Sequence, residues 1–352
     1  MNPNKLNIGL IFGGKSGEHN VSIKSAINVC HALKSKCSLE KYNVVPIYID
    51  KKGCWWPSSI AELALKKSSE LNQSDLPIRN LNGLNSFPNV TETVDVWFPL
   101  VHGPNGEDGS LQGLFQLTGK PYVGAGLVGS AICMDKIAMK SAFHSAGINQ
   151  VAYKYINRNT ALNSNKLKEF IDKSEFNIGY PCFTKPASLG SSVGISKAKN
   201  RNELEKGIRI AIEIDKKVIV EKGVNARELE CGVLGVKHLQ TSLVGEVIFD
   251  SDWYNYECKY TPGLSKTLIP APIPPELQKE VQEISLKACD ATNVSGMARV
   301  DFFYSEKENE LLINEINTIP GFTSQSMYPM LWDASGLRIE ELIIKLVETA
   351  TK

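Results

Sequence analysis

Asn314, Glu315 and Asn317 follow an apolar run, LLI, and stand just ahead of Pro320-Gly321. In a strand, alternation sends Glu315 and Asn317 to one face and Ile316 to the other. That face offers a carboxylate and an amide oxygen, which suits Mg²⁺ or Mn²⁺, cations that prefer oxygen ligands. A polar strand end turning into a loop accounts for the same residues. A second run, RVDFFY, puts Arg299, Asp301 and Phe303 on one side of its own strand. If the two strands pair antiparallel, Asp301, Glu315 and Asn317 gather around one or two metal ions, with Arg299 one pleat away as a fixed positive charge. Burying such charges without partners is costly, and a metal with phosphate ligands is the natural compensation. A structural salt-bridge cluster is the competing reading.

Other stretches point to a phosphate-bearing ligand. KPASLGSSVGI begins at Lys185, a point charge for phosphate. Gly190, Ser191, Ser192 and Gly194 let backbone N–H groups approach an anion closely. The order is not GxxxxGK[ST], so this is not the common P-loop. It also lies between two strands, where a Gly/Ser turn is usually only a hairpin. VIVEKGV ends a strand at Glu221 and Lys222. A strand crossing from one unit to another can hold adenine by its backbone. Glu228, one short loop further on, could accept hydrogen bonds from ribose hydroxyls. Taken singly, each of these is more often a solvated charge.

Such side chains need elements to hold them. LNIGLIF reads as a buried parallel strand, GGKSGEHN as a turn, and VSIKSAINVCHALK as an amphipathic helix. YNVVPIYID and VDVWFPLVHG read as further strands. This alternation predicts an α/β sheet whose loops gather at the strand C-terminal ends. Residues 58–93 read as polar excursions. A second unit starts near Met134, with Asp135 capping a helix through KIAMKSAFHSA that stops at Gly147. Strands YPCFTKP and GISKA follow, then a helix NELEKGIRIAIEI with Asn202 and Glu205 at a capping-box-like start, then strand KVIVEKGV. A third unit begins near Val224 and carries RELECGVLGV, SLVGEVIFD, helix PELQKEVQEISLKACDAT, MARVDFFYS, LLINEIN and a last helix, IEELIIKLVETA.

Composition bounds the rest. A chain of 352 residues suggests two or three domains with ample core. A formal net charge of +1 gives no electrostatic footprint for nucleic acid. No apolar run could span a membrane or serve as a signal peptide, so a soluble, cytoplasmic protein is expected. The eight cysteines form no CxxC pair. Scattered buried thiols are expected rather than zinc ligands or disulfides.

GGKSGEHNVS, HGPNGEDGSLQG, MDK, KPASLGSSVGISK, RELECGVLG, the YECKY loop and NEINTIPGFTSQS, in that order, resemble the D-alanine–D-alanine ligases of the ATP-grasp superfamily. The likeness runs from Gly13 to the C-terminal helix. SGEHNVS with HGPNGEDG is the part most particular to that family. The resemblance implies a three-domain ATP-grasp architecture with an N-terminal Rossmann-like (pre-ATP-grasp) domain. Residues 1–132 would bind the first D-alanine, 133–223 would form the central subdomain, and 224–352 the C-terminal subdomain with metal and acceptor sites.

It also implies roles. Lys136 and Lys185 would contact ATP phosphates, with Ser192 and its loop covering them. Glu221 would bind the adenine amino group beside backbone contacts from Lys222 to Val224, and Glu228 the ribose. Asp301, Glu315 and Asn317 would hold two Mg²⁺ (or Mn²⁺) ions, Glu315 bridging them. Glu18 would take the ammonium of the first D-alanine, with His102 near its carboxylate. Arg299 and the Gly321 N–H would stabilise an oxyanion. Ser326 would hold the carboxylate of the second D-alanine, with Met327 beside that subsite. Lys259 and Tyr260 would close over the site on a mobile loop, Tyr260 bonding into a network with Ser191 and Glu18. Leu189 stands where some relatives carry a glutamate, which puts in question a phosphate-loop clasp made by that carboxylate.

The activity so implied is ATP-dependent joining of two D-alanines through an acyl phosphate, giving ADP and phosphate, for peptidoglycan precursors. A homodimer is implied too. A D-alanine–D-serine or D-alanine–D-lactate ligase shares nearly every motif, although Tyr260 argues against the lactate kind. Another ATP-grasp enzyme would not need Glu18 or HGPNGEDG. A non-catalytic regulator would be expected to have lost some of these residues.

Overall fold

The computed structural model describes residues 5–77, 83–84, 87–190, 193–249 and 264–352. The chain builds three sheets in succession. In the first, β1 (Leu6–Gly13) lies between β2 (Tyr42–Ile49) and β4 (Val96–Pro99), parallel to both, and the short β3 (Trp55–Trp56) adds an antiparallel edge. The continuous apolar run of β1 follows from its place in the middle, where both faces are covered. Gly13 ends the strand at φ +96°, and a Cβ there would meet the Ile49 carbonyl at 2.1 Å. Only glycine fits that turn. It leads into α1 (His19–Leu33), which buries Ile23, Ala26, Val29, Cys30 and Leu33 on one stripe.

Residues 58–93 are more than excursions. They include α2 (Ser58–Lys67), and Ala61, Ala64 and Leu71 enter the core of the first sheet. The small alanines hide the helical period from a reading based on large apolar residues. After β4 come α3 (Ser110–Thr118), α4 (Leu127–Met134) and α5 (Lys136–Ser145). Asp135 caps α5 as expected, accepting from the N–H groups of Ile137 and Ala138.

The second sheet is antiparallel throughout, in the order β5 (Tyr153–Asn157), β8 (Lys217–Lys222), β6 (Cys182–Pro186), β7 (Ser196–Ala198). Helices α6 (Arg158–Ala161), α7 (Ser164–Asn177) and α8 (Arg201–Ile214) accompany it. The start of α8 corrects the sequence reading. Its cap is Asn200, whose side chain accepts from the Glu203 N–H, while Glu203 accepts from the Lys199 N–H. The box therefore sits two residues earlier than Asn202 and Glu205. Two overlapping Asn–x–x–Glu patterns compete there, and the chain adopts the one that puts Leu204 and Ile208 inward.

The third sheet is a five-stranded antiparallel surface, ordered β11 (Ser265–Leu268), β10 (Gln240–Phe249), β9 (Arg227–Gly235), β12 (Gly296–Ser305), β13 (Glu310–Asn317). Helix α9 (Pro275–Ala291) covers it, and Met139 and Phe143 of α5 share its core. Two last helices follow, α10 (Met327–Ala334) and α11 (Ile339–Ala350). Leu342, Ile343, Leu346 and Val347 of α11 pack into the same core as Ile8, Leu10 and Phe12 of β1. Each such burial is worth roughly 1.5–3 kcal/mol. The first sheet thus completes its core with the far end of the sequence.

The seven described cysteines are free thiols, buried except for Cys37. Cys258 lies outside the described residues. No helix among the described residues is long and apolar enough to cross a membrane.

Candidate active site

The antiparallel pairing of β12 with β13 sets Asp301 opposite Glu315 and Arg299 opposite Asn317, with a bulge just after Asp301. On its other side β12 pairs with β9, which sets Glu230 opposite Asp301. Directly opposed residues share a face. Three carboxylates therefore stand in a row across three strands. Left to themselves they would repel. The Arg299 guanidinium relieves this, reaching Asp301 at 2.7 and 2.8 Å and Glu230 at 2.8 Å. Asn317 donates to Asp301 at 2.9 Å, and Lys136 lies 3.7 Å from Glu315.

The donor set fits a hard divalent cation. It consists of oxygen ligands, the facing carboxylates of Asp301 and Glu315, and a half-turn of the Asn317 amide adds a third. Among the described residues no three His, Cys, Asp or Glu side chains are grouped so as to hold a metal ion, and the Asn317 amide oxygen stands beside the two carboxylates as a further oxygen donor. Glu230 was absent from the sequence reading. Its signal was the alternation in RELECGV, which puts Glu228 and Glu230 on one face.

Beyond β13 the chain turns along the first sheet. The Ile319 carbonyl accepts from His102 Nδ1 at 2.9 Å, and the Ile319 N–H donates to Glu107 at 3.0 Å. Glu107 also accepts from the Gly103 N–H at 2.7 Å. One half-buried carboxyl thus ties the HGPNGEDG loop to the segment after β13. Burial first, then the neighbouring Glu18, pushes the Glu107 pKa up to about 8. Burial lowers the His102 pKa, which favours neutral imidazole with its proton on Nδ1. Phe322 continues the seam, its N–H donating to Ser25 and its carbonyl accepting from Asn28.

Gly321 and Ser326 come close together here. A Cβ on residue 321 would lie 2.6 Å from Ser326 Oγ, so glycine is what lets the two approach. Ser326 Oγ also meets Thr323, accepting its N–H at 3.0 Å and lying 2.8 Å from its hydroxyl. Ser326 precedes the first turn of α10, where Met327 is buried. Glu18 stands at the entrance of α1. Its carboxylate lies within 3.9 Å of where a Cβ on Gly190 would be, and within 3.5 Å of one on Gly103. The first loop and the Gly/Ser loop therefore meet at Glu18.

A second charged group sits on the central sheet. Lys185 on β6 reaches Glu221 on β8 at 2.6 Å, and Lys140 on α5 reaches the other oxygen of Glu221 at 3.1 Å. Burial alone would raise the Glu221 pKa, yet the two ammonium groups pull it down to about 2. One turn before Lys140, Lys136 donates to the Leu189 carbonyl at 2.8 Å and so touches the Gly/Ser loop. At the sheet's exit the N–H groups of Lys222 and Gly223 bond to Ala152 and Pro181. Val224 and Glu228 are half-buried beyond them.

The structure therefore brings together Asp301, Glu315, Asn317, Arg299 and Lys136 at one end, Glu18, His102, Gly321 and Ser326 at another, and Lys185 with Glu221 at the third. Ser191, Ser192, Lys259 and Tyr260 lie outside the described residues. Lys140 and Glu107 were missed. A lysine four residues after Lys136 on one helix was a usable signal, and Glu107 stood inside a motif already singled out.

A family model described as "D-ala D-ala ligase N-terminus" matches residues 7–125, and one described as "D-ala D-ala ligase C-terminus" matches residues 142–348. A D-alanine–D-alanine ligase of Prochlorococcus marinus is 55% identical over 345 residues, covering 97% of this chain and 98% of its own. One from a Synechococcus species is 53% identical, covering 98% of each chain. Among solved structures, the D-alanine-D-alanine ligase of Coxiella burnetii superposes with a TM-score of 0.79 at 34% identity, over 99% of this chain and 94% of that one. The VanG D-Ala:D-Ser ligase of Enterococcus faecalis gives 0.81 at 35%, over 98% and 99%. The three sheets and their order are thus those of an ATP-grasp fold behind an N-terminal α/β unit, and the chain belongs to the D-alanine–D-alanine ligase family.

Proposed function

We propose that this protein joins two D-alanines to D-alanyl-D-alanine at the expense of ATP, releasing ADP and phosphate, in the supply of peptidoglycan precursors. The observation that carries the reading is the pairing of β12 with β13, which sets a carboxylate pair beside a guanidinium, followed directly after β13 by the Gly321–Ser326 approach. The names of the relatives at 53–55% identity support the same activity.

The roles follow from what each group can do where it stands. Lys185 and Lys136 bind the ATP phosphates; Glu221 and the segment Lys222–Val224 bind adenine, and Glu228 the ribose. Asp301, Glu315 and Asn317 would hold two Mg²⁺ or Mn²⁺ ions, which when bound would supply positive charge for phosphoryl transfer. Glu18 takes the ammonium of the first D-alanine, and His102 lies near its carboxylate. That carboxylate accepts the γ-phosphoryl group to give an acyl phosphate. Ser326, at the N-terminus of α10, holds the carboxylate of the second D-alanine, where helix N–H groups favour an anion. The free amine of that second D-alanine then attacks the acyl carbon and gives up a proton, and the acyl C–O bond breaks with its electron pair leaving on phosphate. Arg299 and the Gly321 N–H stabilise the tetrahedral oxyanion, each such donor being worth ~3 kcal/mol. Water must be kept out, since it would hydrolyse the acyl phosphate; Ser191, Ser192, Lys259 and Tyr260 are assigned to that closure.

Residues 1–132, 133–223 and 224–352 are the proposed working domains, and the proposed assembly is a homodimer. The likeness to a D-Ala:D-Ser ligase makes acceptor choice the second question. One experiment addresses both: phosphate release with ATP, Mg²⁺ and a panel of D-amino acids, with product masses. D-alanyl-D-alanine and ADP are expected. AMP with pyrophosphate, or no turnover with D-alanine, overturns the proposal. D-alanyl-D-serine formed in preference to D-alanyl-D-alanine moves it to the serine branch.

A further inference from the structure

Lys140 has no part in the roles just assigned, yet it is among the most deeply buried side chains of the protein, 1% exposed. It sits four residues after Lys136 on α5, and like charges at that spacing oppose helix formation. Its ammonium lies over the Tyr153 ring, 5.6 Å from the centroid, and 3.1 Å from Glu221 Oε1. The Nζ is closed to solvent, and so is the Glu221 oxygen that it faces. Burial works against this ammonium; the Glu221 carboxylate does most to favour it, and Glu315 adds to that from farther off. A buried cation with no outlet, facing a buried carboxylate, calls for a reason.

Charge counting supplies one. Glu221 carries two cations, Lys140 at 3.1 Å and Lys185 at 2.6 Å, so this ion-paired trio has one ammonium more than it has carboxylates, with Glu228 and Glu315 acting on Lys185 only from outside it. Lys185 is the more exposed of the two, and its strand leads straight into the Gly/Ser loop. If Lys185 leaves for a phosphate, Glu221 must not be left alone, because a buried carboxylate without a cation is severely unfavourable. Lys140 cannot follow the phosphate, being enclosed by α5, β5 and β8.

We propose that Lys140 is the resident counter-ion of Glu221, a positioning residue that lets Lys185 exchange its carboxylate partner for the nucleotide phosphates. Lys140 keeps Glu221 ionised and in place before and after the exchange. The excess charge is then available to a polyanion at no cost to the buried carboxylate. The inference rests on the nucleotide roles proposed above for Lys185 and Glu221.

The full-length protein is titrated with ATP in Mg²⁺ without D-alanine, and with adenosine by competition. The forms compared are the parent, Lys140→Met, Lys140→Met/Glu221→Gln and Lys185→Met. In Lys140→Met, Lys185 becomes the sole partner of Glu221 and is retained by it. ATP affinity is expected to fall about tenfold or more, with adenosine affinity nearly unchanged. In the steady state KM for ATP rises while both KM values for D-alanine hold. The double variant carries no buried carboxylate to strand; because Glu221 is also the proposed adenine contact, its readout is ATP affinity relative to adenosine, and that ratio regains part of what Lys140→Met lost. Equal losses for ATP and adenosine would reduce Lys140 to a packing role and overturn the proposal. An unchanged ATP affinity in Lys140→Met, or a double variant whose ATP-to-adenosine affinity ratio is no better than the single's, overturns it as well. If Lys185→Met also binds ATP normally, the nucleotide assignment itself is wrong. If Lys185→Met binds ATP weakly while Lys140→Met does not, only the counter-ion proposal falls.

Discussion

Asp301 and Glu315 face each other directly across the β12–β13 pair, one bonded to Arg299 and the other 3.7 Å from Lys136. Two carboxylates so placed are held together by cations that belong to the protein. A divalent ion between them would compete with those cations, and an amide could not replace either carboxylate. Glu315→Gln is therefore expected to lower ligation by about 100-fold or more, the scale on which loss of one charge-stabilising group acts. Phosphate release measured against Mg²⁺ concentration checks this. Circular dichroism and the thermal midpoint should stay close to the parent, because Glu315 is only half-buried.

Gly321→Ala tests the approach to Ser326. The added methyl would start 2.6 Å from Ser326 Oγ, and that hydroxyl must move. The subsite displaced is the proposed acceptor subsite. KM for the second D-alanine should rise by about tenfold, a loss of ~1.4 kcal/mol, and KM for ATP should change little. Separate saturation curves for the two D-alanine sites distinguish this from general loss of fold.

Glu107 gives a pH signature. Its folded pKa is raised to about 8, above the ordinary carboxyl value of 4.5. A raised acid contributes stability that is fully present below about 4.5 and is lost as pH climbs through about 8. Each unit of difference is worth about 1.4 kcal/mol. Glu107→Gln cannot ionise. The parent should lose thermal stability between pH 5 and pH 8.5 along a steeper curve than the variant. Parallel curves would show that the carboxyl titrates normally in the folded protein.

Phe322→Ala probes the seam between the first sheet and the last helices. The ring is fully buried, edge-on to Phe98 at 6.2 Å and tilted against Tyr328 at 5.6 Å. Truncation should cost about 3–5 kcal/mol. The urea midpoint is expected to drop accordingly. Activity at low temperature should fall too, since Phe322 sits beside Gly321.

Alternation alone made much of this site legible. Asp301, Glu315, Asn317 and Arg299 could be placed on one face because two strands with period 2 were visible around them. The residues that escaped notice are those whose meaning is tertiary. Lys140 looks like an ordinary helix-surface lysine until β5 and β8 close over it. Glu230 looks like one more polar residue until Asp301 arrives opposite. Glu107 takes its function from an N–H more than two hundred positions away. In the fold, the long strands and helices were readable, while β3 and β11 were too short to show a period and the fully buried positions of α2 are two alanines.

The packing of α11 against β1 also sets a timetable. A ribosome delivers Ile8 more than three hundred residues before Leu346, its neighbour in the same core. At roughly 5–20 residues per second, the interval is about 20 to 70 seconds. For the later part of it, once β4 has been made, the first sheet lacks the helix that covers part of its apolar face. A nascent chain stalled before α11 would therefore be a client for a chaperone, and the finished protein would not.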